Sequence, residues 1–149
     1  MRPLEIIGIF AFLWVFVEIL NAKPSSIKRA KVAALLGVIF FFASWLVAGY
    51  LYVNFYGQNV KPLIKSGPNP AGHAVFMESK EHIFLFIPFL SLLALALLYQ
   101  KDILENNETR KSLLLLSALI ILLGLAMAGM GYLISSSARE ALEAARAVK

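Results

Sequence analysis

Long apolar stretches separated by short polar ones run the length of this chain. Residues 3–20, 32–55, 83–99 and 112–134 are almost unbroken in hydrophobic character. Each is close to, or beyond, the roughly 20 residues a helix needs to cross a bilayer at about 1.5 Å per residue. With their flanks, these runs predict helices over 3–21, 32–56, 70–100 and 111–135. Between them the pattern predicts an outer loop over 57–69 and, after the last, a polar helical tail over 136–149. The fold class that follows is all-α: one polytopic integral membrane domain built as an antiparallel four-helix transmembrane bundle.

The first run also resembles a secretion signal, because Arg2 precedes an apolar stretch that ends at Asn21 and Ala22. Glu5 stands where a signal carries no acid, and Leu20 is a poor residue three places from the end of such a segment. The run is therefore read as a span. Asn69-Pro70 reads as the start of the third helix, with proline in the first turn. That helix then stands about 45 Å tall, longer than the ~30 Å hydrocarbon layer. Its first turns would lie in the headgroup region, and Pro88 interrupts its apolar part.

Composition supports the membrane assignment. Of 149 residues, 60% are hydrophobic, and the mean hydropathy is +0.76, well above soluble domains. With no cysteine, thiolate chemistry and disulfides are excluded for this chain. The net charge of +5 is spread over connections and tail, which fits anionic lipid and gives no nucleic-acid footprint. Lys23, Lys28, Arg29 and Lys31 in the first connection, and Lys101, Arg110 and Lys111 in the third, point both to the cytoplasm. Both termini and the middle loop are then expected outside a cell membrane.

The candidate chemistry gathers at the mouth of the third helix. "GHAVFMESKEHIF" holds both histidines of the chain. Glu78 and His82 fall one turn apart with Glu81 beside them, while His73 and Met77 turn to the opposite side. Imidazole with carboxylates suits zinc, iron, manganese or copper, and four-helix carboxylate sites use such spacing. A second helix must contribute, and Glu5 is the candidate. The expected metal ligands are thus Glu78, Glu81, His82 and Glu5, with Tyr50, Tyr52, Asn54, Tyr56, Tyr132 and Ser135 near them. Haem fits less well, since no second histidine shares a face with His82 and no Cys-x-x-Cys-His signal is present.

The plainer reading of the same residues is interfacial anchoring, in which acids sit in first turns to meet the helix dipole and tyrosines form an aromatic belt. A faint duplication points the same way as the metal reading. Each half pairs an acid near its start, Glu5 or Glu81, with a Gly-Tyr-Leu near its end, which would put both acids at one depth. Glu18 is the one acid well inside an apolar run, and Lys23 or Lys101 is its expected partner. In the fourth helix Gly124 and Ala128 form a small-xxx-small pair, fit either for packing within the bundle or for a second copy or partner subunit. Two functions compete: a membrane protein holding a transition-metal ion near its outer face, or a non-catalytic scaffold or accessory subunit.

Overall fold

The structure, a computed structural model, describes residues 2–21, 23–100, 103 and 105–147. Ala22, Lys101 and the last two positions of the expected tail, 148–149, lie outside the described residues. Among those described the chain is helical, with α1 Arg2–Asn21, α2 Pro24–Leu51, a π-helical segment Tyr52–Val60, α3 Lys61–Ser66, a second π-helical segment Gly72–Met77, α4 Glu78–Leu98 and α5 Asn107–Ala147. Four helical stretches are long and apolar enough to cross a membrane: Pro3–Asn21, Pro24–Ser66, Gly72–Leu98 and Asn107–Ala147.

Two boundaries differ from the sequence reading. α2 begins at Pro24, inside the basic stretch expected to be a connection, because proline at the first helical turn gives up an N–H that has no partner there anyway. The expected loop over 57–69 is mostly helical and continues α2 through the wider π-helical turns into α3. Asn54 and Asn59 donate side-chain hydrogen bonds to the carbonyls of Tyr50 and Phe55, and Ile64 is fully buried. Tertiary packing of Ile64 and these local bonds outweigh the breaking tendency of Gly57 and Pro62. α5 carries the polar tail as a continuation of the last span, one helix of 41 residues, about 60 Å long. Its start is capped by Asn106, whose Oδ1 accepts from the backbone N–H groups of Glu108 and Thr109.

Each long helix packs against two others: α1 on α2 and α5, α4 on α2 and α5. Phe12, Phe41, Ile87, Leu98, Leu113, Ile120 and Met127 fill the centre. Close approach of α1 and α2 depends on a reciprocal exchange. A Cβ at Gly37 would fall 2.6 Å from the Phe12 ring, and one at Gly8 would fall 2.9 Å from the Phe41 ring. The two rings themselves lie 5.9 Å apart. Outward-facing positions are apolar too, among them Phe10, Leu46, Phe86, Leu115 and Leu122. A surface of that kind suits lipid contact, since water-exposed helices carry a polar face.

Candidate functional site

At one end of the helices, Lys31 at the start of α2 places its Nζ 4.5 Å from the centre of the Tyr99 ring just after α4. Nearby, Glu18 is buried and fully engaged. It accepts from Arg29 Nε at 2.6 Å and Arg29 Nη2 at 2.8 Å, and from Trp14 Nε1 at 3.0 Å. The partner is therefore Arg29, whereas Lys23 or Lys101 was expected. The early start of α2 is the reason: it lifts Arg29 onto a helix packed beside α1. A two-pronged guanidinium clasp satisfies the acid, so Glu18 locks α1 to α2 and leaves no reactive group.

The opposite end holds a cleft of about 540 Å³. Its walls are Ser44, Trp45, Leu46, Ala48 and Gly49 of α2; Tyr52, Val53 and Tyr56 of the first π-helical segment; Met77 of the second; Phe84 and Leu85 of α4; and Gly131 and Ile134 of α5. Glu5, Lys80 and Glu81 complete the lining. Glu5 and Glu81, which the duplication placed at one depth, do share this cleft. The Tyr52 hydroxyl approaches the Glu81 carboxylate, yet Oε1 of Glu81 is buried without a hydrogen-bond partner.

Glu78 and His82 are elsewhere. They line a shallow depression with Ala74, Val75, Ser79 and Ile83, all from one helical stretch, so no second helix contributes a donor there. His82 is exposed, and its Nδ1–H donates to the Glu78 carbonyl at 2.7 Å. The four expected ligands thus separate into an inner pair, Glu5 and Glu81, and an outer pair, Glu78 and His82. Among the described residues no group of three or more His, Cys, Asp or Glu side chains is placed to hold a metal ion together.

His73, set aside in the sequence reading, turns inward. It is completely buried, its Nδ1 is hydrogen-bonded to the Tyr56 hydroxyl at 3.1 Å, and its Nε2 is buried without a partner. Tyr56 stacks on Tyr52 with ring centres 5.4 Å apart. Both π-helical segments therefore meet behind the cleft, joined by Tyr56 and His73. Single π-helical turns are rare and recur at functional sites. The sequence carried one usable signal for this, the half-turn that α-helical spacing puts between the histidines, although the π-helical turns over Gly72–Met77 alter that spacing.

Gly124 of α5 is buried against Ile9 of α1, where a Cβ would meet the Ile9 side chain at 2.6 Å. Ala128 and Gly129 face outward. The two members of the small-xxx-small pair thus have different settings, one inside the fold and one at its surface. In comparisons with known proteins, the chain matches no family model, no curated protein and no solved structure.

Proposed function

We propose that the chain is a four-span integral membrane protein that binds a small amphiphilic molecule in the cleft at its outer end. An antiparallel arrangement is supported by the cleft's lining, which comes from the start of α1, the end of α2, the start of α4 and the later part of α5. α1, about 30 Å long over 20 residues, matches one hydrocarbon layer. Glu5 then lies near one interface and Glu18 near the other. The basic residues around Glu18 favour the cytoplasm for that end, and in this reading the cleft and both termini lie outside the cell membrane.

The observation that carries the reading is the make-up of the cleft. Its body is apolar, and its polar groups collect at the Glu5, Tyr52, Lys80 and Glu81 end, the arrangement of a site for a mostly apolar ligand fixed by a few polar contacts. Its most exposed lining residues, Leu46, Val53 and Leu85, come from the α2 and α4 sides. The opening is therefore lateral, towards lipid.

Trp45 lies in the cleft and Trp14 beside Glu18, so a Trp14→Phe protein reports on the cleft alone. In maltoside micelles, a neutral long-chain alcohol brominated in its tail should quench Trp45 saturably. Gly49 has open space around its Cα, and Gly49→Leu should fill the cleft and weaken apparent affinity at least about tenfold. Quenching that rises linearly, or saturates equally in Gly49→Leu, would count against a bound ligand.

A second reading keeps a transition-metal ion, zinc, iron, manganese or copper, in the same place. Its support is that two carboxylates from different helices, Glu5 and Glu81, line one cleft beside the Tyr52 hydroxyl. Oxygen donors of this kind favour manganese or iron over copper.

A further inference from the structure

The cleft's lining narrows the ligand further. Trp45, Tyr52, Tyr56 and Phe84 surround the same space as Glu81 and Glu5. Aromatic faces attract cations through their negative quadrupole, and this attraction strengthens where water is excluded. A carboxylate held out of water is costly unless a donor or a counter-charge meets it. Glu81 is half-buried and the Tyr52 hydroxyl approaches its carboxylate, but its second oxygen, Oε1, is buried and unmet.

Lys80 does not supply the counter-charge. It forms no ion pair with Glu81 among the described residues, and its Nζ lies against Gly131 on α5, 3.1 Å from where a Cβ would stand. An anionic head entering the cleft would meet the Glu81 carboxylate and the negative faces of the aromatic rings. A cationic head would meet the free carboxylate oxygen and an aromatic wall.

We infer that the cleft selects lipophilic monovalent cations, molecules with an apolar or aromatic body and an ammonium or equivalent positive centre, and that Glu81 is the residue that meets the charge. This rests on the cleft being a ligand site and adds the sign of the ligand's charge. The positive centre needs no strong donor hydrogen, because cation–π attraction and ion pairing both act on a quaternary centre.

Tetraphenylphosphonium and tetraphenylborate are matched in size and shape and opposite in charge, which makes them suitable probes. With the Trp14→Phe protein in maltoside micelles, Trp45 emission should respond saturably to tetraphenylphosphonium. The borate should bind at least about tenfold more weakly. On the same background Glu81→Gln should lower affinity for the phosphonium about tenfold or more and leave the borate unchanged or tighter. Glu78→Gln, at an exposed position one turn earlier, should change neither.

Equal or tighter binding of the borate would overturn the inference, and that comparison needs no substitution at the acid. Unchanged phosphonium affinity in a folded Glu81→Gln protein would overturn it too. If neither ion binds while the neutral brominated alcohol still saturates, the charge preference is wrong and the cleft reading survives. If all three probes fail, both readings fall.

Discussion

His73 and His82 are nine residues apart on one helical stretch, a separation that turns their side chains to roughly opposite sides. One consequence is that His73 has no solvent exposure while His82 lies on the surface. The same geometry divides the acids. Glu81 stands about 100° round the helix from His82 and reaches the cleft, whereas Glu78 stays beside His82. A metal ion in this protein would therefore be held by Glu5 and Glu81, with water or Tyr52 completing its shell, and His82 would be a bystander. Elemental analysis of detergent-purified protein checks this. Bound zinc, iron, manganese or copper should be lost in Glu81→Gln and retained in His82→Ala, with a drop in affinity of at least about tenfold for the first. Protein that carries no metal and takes up none when zinc or manganese is added would sink the metal reading. Loss in His82→Ala alone would move the site to the outer depression. The acids were visible in the sequence as a group, but their separation depends on the rotation of α4 against α2 and α5, which no local pattern encodes.

Between elements, small residues set how closely helices meet, and their effect depends on which side they face. At Gly124 the Ile9 side chain occupies the space a methyl group would need. Gly124→Ala should then push α5 from α1 and cost about 1–3 kcal/mol, as overpacking of a filled interior does. At Gly129, five residues on, nothing lies within 4 Å of an added Cβ. Gly129→Ala should stabilise the helix by about 0.5–1 kcal/mol. Thermal unfolding in one detergent would compare the two, and a loss of stability in Gly129→Ala would indicate that this face packs against a second copy or another subunit. The apolar runs made all four long helices legible, and Asn69-Pro70 marked where the third begins. The π-helical segments were not legible. Gly57 and Pro62 fall in the stretch that reads as a loop, and the burial of Ile64 and the contact of Gly72 with Ser137 of α5 explain why the backbone stays coiled on both sides of the turn.

At the scale of the molecule, length and charge together carry the proposed orientation. The Pro24–Ser66 and Asn107–Ala147 stretches are 43 and 41 residues long, each about twice the height of the hydrocarbon layer. α1 is only one layer tall, and in the proposed orientation its packing beside α2 and α5 marks the part of those helices that lies in lipid. The surplus of both then projects on the cleft side, where α3, the second π-helical segment and the end of α5 pack on one another. Since the chain has no cysteine, single cysteines can map this directly. Ser66→Cys and Glu143→Cys, both at exposed positions of the projecting part, should react with a membrane-impermeant maleimide on intact cells. Ser25→Cys and Asn106→Cys, exposed at the basic end, should react only after permeabilisation. The reverse pattern would turn the cleft to the cytoplasm and give it a different pool of ligands. Labelling of Ser25→Cys and Ser66→Cys from the same side would be more serious, because α2 would then not cross the membrane. The lateral opening between α2 and α4 would face water, where an apolar cleft loses the reason to admit an amphiphile from lipid.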